Sequence, residues 1–135
     1  MWLYKGEEFK TNMILSHVGF VYKIQNLLDS RAYIGKKLFW FSRIKIVKGK
    51  RKRVKEESDW QIYYGSCLEL QNDVAHFGSH NFSREILHLC DSKGVMSYLE
   101  MKEQIINDVL LKPLEFYNSF VGGKIHRKHI IGKME

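Results

Sequence analysis

The chain has 135 residues, 44% of them apolar and 27% charged, which reads as one soluble globular domain able to bury roughly two-thirds of its unfolded surface without staples. No apolar run approaches the length of a membrane span, and Lys5, Glu7, Glu8 and Lys10 stand where a signal peptide would need an apolar core, so a cytoplasmic protein is expected. The net charge is +7 and it is concentrated: no acidic residue lies between Asp29 and Glu56, while that stretch supplies 11 of the 22 Lys and Arg. A block of this kind suits a polyanion, although basic runs also occur as plain solvated loops.

Residues 1–17 carry Trp2, Tyr4, Phe9 and Ile14 without a clean period and read as an N-terminal extension, partly packed by its aromatics. The stretch after it is the most informative. Phe20, Tyr22 and Ile24 alternate with Val21 and Lys23, the signature of a half-buried strand. Asn26, Asp29 and Ser30 supply turn chemistry, and Ala32-Tyr33-Ile34 reads as a returning strand that stops at Gly35. Two phenols, Tyr22 and Tyr33, therefore stand on paired strands, followed at once by Lys36 and Lys37.

Residues 36–59 admit two readings. A helix from Gly35 would place Lys36 and Arg43 on one face, two turns apart. A second hairpin, with Phe39/Phe41 and Ile44/Ile46 alternating before a turn at Lys48-Gly49-Lys50 and a return through Val54, agrees better with the β-branched and aromatic content. That hairpin needs a bulge near Ser42 to reconcile its parity. Its cations are Lys45, Lys48, Lys50, Arg51, Lys52, Arg53 and Lys55, with Lys37 just before it, and they are the expected DNA contacts.

Ser58-Asp59-Trp60 offers a helix N-cap, and Ser66 offers another for a helix through Leu68, Leu70, Val74 and Phe77 that Gly78 ends. Phe82 to Cys90 reads as a third strand. The longest helical pattern covers 94–111, with Val95, Tyr98, Leu99, Ile105, Ile106, Val109 and Leu110 on its apolar face and Glu100, Gln104 and Asp108 along its flank. Pro113 stops it, Tyr117-Asn118 follow, and the tail from 121 is basic. Cys67 and Cys90 read as free thiols. His126 and His129 have a plausible zinc spacing, but a Cys pair to complete the set is lacking.

Val21-Tyr22 with Tyr33-Ile34-Gly35 and Asn26 between them resembles the paired motif of the GIY-YIG nuclease superfamily, and the chain as a whole looks most like the small phage homing endonucleases of the Seg type. Trp60 with Tyr63-Tyr64-Gly65-Ser66, Phe77-Gly78 to Phe82, Glu100 and Tyr117-Asn118 extend the resemblance over 18–120. The first motif of that superfamily opens with Gly, and here Phe20 holds the place. The resemblance implies an α/β (α+β) fold, a small three-stranded antiparallel sheet flanked by helices, with the basic insertion at 36–59. It implies a Mg²⁺-dependent, or other divalent-cation-dependent, endonuclease that hydrolyses DNA phosphodiesters. Tyr22 and Tyr33 would orient or deprotonate the water, with Lys36 beside Tyr33 as the cation favouring a phenolate. Arg43 would steady the phosphate, Glu100 would hold the metal, and Tyr64 and Asn118 would complete the site. Two other readings are a non-catalytic DNA-binding protein on the same scaffold, and a phage protein that binds a host protein through exposed aromatics.

Overall fold

The computed structural model describes residues 1–134. Seven strands and two helices follow one another as β1 (Leu3–Tyr4), β2 (Glu7–Glu8), β3 (Gly19–Asn26), β4 (Ala32–Leu38), β5 (Trp40–Val47), β6 (Lys50–Glu57), α1 (Leu68–Phe77), β7 (Phe82–Cys90) and α2 (Lys93–Ile106). The main sheet has five strands in the order β2-β1-β7-β3-β4, not three. The expected antiparallel trio β7-β3-β4 forms its greater part. Residues of the N-terminal stretch add the other two strands, β1 running parallel to β7 and antiparallel to β2. Strands of two residues carry too little pattern to be read locally; Trp2 and Phe9, both buried, pin them in place.

Alternation along β3 sends Phe20, Tyr22 and Ile24 to one face, where Trp2, Phe39, Trp60, Leu70 and Ile86 complete an aromatic-rich core. Val21 turns to the other face with Ile34, Cys90 and the Val95, Met96 side of α2. α1 and α2 thus cover opposite faces of the sheet. Gly19 lies where a Cβ would stand 2.6 Å from both the Lys37 carbonyl and the Met96 sulfur, so the close approach that a glycine in place of Phe20 would permit occurs one residue earlier. The one irregularity in the β3–β7 pairing falls between Val21 and Tyr22, which face His88 and Ile86 and leave Leu87 as the extra residue.

Residues 40–57 form a separate two-stranded ribbon, as the hairpin reading predicts. Its register is continuous from Trp40↔Glu57 to Val47↔Lys50, without the expected bulge at Ser42, because Phe39 is a buried connector and not a strand residue. Lys48 and Gly49, both at positive φ, close it as a two-residue turn.

Three helix expectations change. Ser58 begins a single 3₁₀ turn at Trp60–Ile62, its hydroxyl accepting from the Trp60 N–H and donating to the Leu38 carbonyl. Cys67, not Ser66, holds the N-cap position of α1. The second helix ends at Ile106, because Asp108 takes a left-handed conformation and the chain breaks into a 3₁₀ turn, leaving Ile105, Ile106 and Leu110 exposed. Gln104 is buried instead of flanking.

β4 is the free edge of the main sheet, and the chain after Pro113 closes part of it. Ala32 donates its N–H to the Glu115 carbonyl and accepts from the Tyr117 N–H. One residue pair further, the Asn118 side chain both accepts from the Ile34 N–H (3.1 Å) and donates to the Ile34 carbonyl (2.8 Å), to which Gln104 also donates (2.9 Å). The Tyr117 hydroxyl donates to Asp73 and accepts from Asn26, and the Arg31 guanidinium lies 4.0 Å from its ring centre while pairing with Asp29, Glu69 and Asp73.

Candidate active site

At the open part of the β4 edge lies a cavity of about 460 Å³, lined by Tyr33, Lys36, Ser66, Cys67, Glu100, Gln104, Tyr117 and Asn118 among others. Tyr33 and Lys36 are three residues apart on one strand and so leave on opposite faces; the cavity wraps around the edge between them. Glu100 comes from α2 and lies 3.8 Å from the Lys36 ammonium, which is also 2.7 Å from the Ser97 hydroxyl. The Tyr33 and Ser66 hydroxyls share a hydrogen bond of 3.1 Å.

Tyr22 reaches this edge from the neighbouring strand. It pairs with Gly35, and its phenol lies across that residue: a Cβ on Gly35 would meet the Tyr22 hydroxyl at 2.5 Å and the Tyr33 ring at 3.0 Å. Gly65, at φ +87°, closes in from the other side, its Cβ position 3.4 Å from the same oxygen. Glycine at 35 is thus required by the phenol and not by its own backbone. Tyr33 and Tyr63 flank the Tyr22 ring at centroid distances of 6.2 and 6.0 Å.

Burial is the leading electrostatic influence. It pushes the Tyr22 phenol well up from its ordinary value, and Tyr63 and Tyr33 add to this. It raises Tyr33 too, against the Ser66 hydrogen bond. Lys36 leaves β4 on the face opposite Tyr33 and pairs there with Glu100 and Ser97. Burial also raises the Glu100 carboxyl, against the pull of Lys36.

The remaining expected site residues are placed elsewhere. Arg43 is on the ribbon, its Nε 3.2 Å from Glu56, in a groove lined by Trp40, Phe41, Lys55 and Lys93. Tyr64 packs over the Arg84 guanidinium at 4.3 Å and faces a cavity with Met1 and Leu3. Tyr63 is the member of that pair beside Tyr22, because the 3₁₀ turn before it sets which tyrosine faces inward. Tyr63, Ser66 and Gln104 were not singled out as site residues from sequence, although Tyr63 and Ser66 lie in the stretch that carries the resemblance. Of the expected DNA contacts, Lys45, Lys48, Lys50, Arg51, Lys52, Arg53 and Lys55 are all exposed on the ribbon, and Lys37 is held by Asp59 at 2.6 Å and over the Tyr63 ring at 4.0 Å.

A family model described as "Putative endonuclease segE, GIY-YIG domain" matches residues 2–121. The chain belongs to this GIY-YIG family. Among curated proteins it is 25% identical over 104 residues to the putative endonuclease segD of Enterobacteria phage T4, covering 77% of this chain and 38% of that one. It is 29% identical over 119 residues to the putative endonuclease segE of the same phage, covering 86% and 49%. The chain thus spans less than half the length of these relatives. No solved structure matches it.

The donor set of the GIY-YIG cavity is compatible with Mg²⁺. Among the described residues no group of three or more His, Cys, Asp or Glu is placed so that it could hold a metal ion. Glu100, its side chain 15% exposed, is a hard carboxylate lining the same cavity as Tyr33 and Ser66, and Mg²⁺ commonly takes one or two carboxylates and leaves its other positions to water and phosphate.

Proposed function

We propose that the chain is a divalent-cation-dependent DNA endonuclease whose site is the cavity at the β4 edge. The observation that carries this reading is the convergence of Tyr33, Lys36, Glu100 and Asn118, from three separate stretches of the chain, on one cavity, with Tyr22 directly behind it. Glu100 would hold Mg²⁺, which when bound supplies positive charge against the phosphate and the leaving oxygen. Lys36, released from Ser97 and Glu100 as an anion arrives, places its ammonium on a non-bridging phosphate oxygen. Tyr33 and Tyr22 orient the attacking water or take its proton. Asn118 and Gln104 act through Ile34: they fix the strand that carries Tyr33, Gly35 and Lys36 and touch no reacting atom.

Arg43 contacts the phosphodiester chain outside the cavity, and the ribbon cations contribute salt-sensitive attraction to the polyanion. Tyr64 braces Arg84. The protein's action in a phage or mobile-element setting, including homing, rests on its relatives.

The test is supercoiled plasmid incubated with the protein in Mg²⁺, in EDTA, and with Glu100→Ala. Open-circle or linear product in the wild-type Mg²⁺ reaction alone is expected. Intact plasmid in every reaction, together with a salt-sensitive gel shift, would establish the non-catalytic DNA-binding alternative.

A further inference from the structure

The two faces of the ribbon are chemically different. In an antiparallel pair, directly opposed residues share a face. Phe41/Glu56, Arg43/Val54, Lys45/Lys52 and Val47/Lys50 make one face; Trp40/Glu57, Ser42/Lys55, Ile44/Arg53 and Ile46/Arg51 make the other. Both are basic, so charge alone does not tell them apart.

Continuity with the cavity does. Lys36 lines the β4-edge cavity and also a shallow groove beside it whose other walls include Lys37, Phe41 and Lys93. Phe41 and Lys93 line the next groove as well, together with Arg43 and with Trp40, Ser42 and Lys55 of the other face, so it is the first groove, which takes Phe41 alone from the ribbon, that favours this face. Phe41 and Arg43 begin the first ribbon face, and Lys45, Lys52 and Lys50 continue it to the tip. Cations therefore run from the cavity along one face for the length of an eight-residue strand, about 26 Å, with Glu56 paired to Arg43 and Lys45 as the acidic residue among them.

Two further features point the same way. Lys45 and Lys52 stand directly opposite each other; Lys45 also pairs with Glu56, so a phosphate arriving here meets the Lys52 ammonium and competes with that carboxylate for Lys45. Residues on one face of a strand repeat every ~6.6 Å, near the ~6.8 Å that two phosphates of a duplex strand occupy along its axis.

We propose that the Arg43/Lys45/Lys50/Lys52 face is a phosphate track for double-stranded DNA, holding the duplex to one side of the cut while the Arg51/Arg53 face points away from it. The proposal rests on the nuclease reading for the position of the cut, but its binding prediction stands independently.

The experiment compares Lys45→Gln/Lys52→Gln with Arg51→Gln/Arg53→Gln, two variants of equal charge on opposite faces. Binding to a duplex several helical turns long is measured in EDTA across a salt series, with circular dichroism melting as the folding control. The Lys45/Lys52 variant is expected to lose about tenfold or more in affinity and to flatten the log K against log salt slope by about 2, while the Arg51/Arg53 variant loses about threefold or less, its share of the ribbon's general attraction. Equal losses in both variants, a larger loss in Arg51/Arg53, or no duplex binding by the wild type would overturn the track. If the face difference is found but the wild type leaves plasmid intact in Mg²⁺, the nuclease reading fails and the track remains.

Discussion

Glu100 shows how a single residue trades stability for a site. Its carboxyl is raised by burial, so the folded state binds its proton more tightly than the unfolded chain does. The stabilising contribution is therefore full below the unfolded value and is lost as pH rises through the folded one. Glu100→Gln should abolish cleavage yet raise the melting temperature above neutral pH, and this gain should shrink as pH falls toward the ordinary carboxylate range. A pH series of melts on the two proteins checks it; an unchanged difference across the series would contradict it. Gly35→Ala tests the neighbouring contact: a methyl 2.5 Å from the Tyr22 hydroxyl has to displace the phenol. A loss of about 1–3 kcal/mol in urea unfolding is expected, with cleavage reduced further than stability alone explains.

Among the elements, β4 depends on its bracket. Asn118→Ala removes two of the bonds to the Ile34 backbone and leaves its N–H without the Asn118 carbonyl, costing about 1–3 kcal/mol in urea unfolding. The ribbon should behave oppositely. Its strands pair with each other and not with the main sheet, so replacing residues 43–54 by Asn-Gly should leave the melting temperature nearly unchanged while duplex binding drops in a gel shift. β3 and the ribbon strands were legible because alternation is a local signal: Phe20, Tyr22 and Ile24 carry their own period. β1 and β2 were not, since β1 acquires meaning by pairing with a strand some eighty residues away and β2 only by pairing with β1. Gln104 was misplaced for a similar reason. A polar residue on a helix flank reads as solvated until an edge-strand carbonyl is brought to it.

For the whole molecule, the sequence reading groups Tyr22, Tyr33, Lys36, Arg43, Tyr64, Glu100 and Asn118 as one site; the fold sets Tyr33, Lys36, Glu100 and Asn118 around a single cavity with Tyr22 behind, and Arg43 and Tyr64 elsewhere. Which of Tyr63 and Tyr64 faces inward depended on one 3₁₀ turn, which leaves no periodic trace. Arg43's distance from Lys36 depended on whether residues 36–59 coiled or extended. Positive charge is segregated onto the ribbon, while Asp29, Glu69 and Asp73 gather around Arg31. Cleavage rates at low substrate should therefore fall steeply with added salt, and less steeply once 43–54 are excised; parallel salt curves for the two proteins would contradict this.

The clasp of residues 115–118 over β4 also governs when the site comes into being. Tyr33 and Lys36 leave the ribosome early, but the segment that brackets Ile34 and forms one wall of the cavity emerges after every other element of the sheet. A nascent chain halted before Glu115 has its sheet edge unbracketed and its cavity missing a side. The cavity is therefore assembled in one step, when 115–118 dock, and not strand by strand.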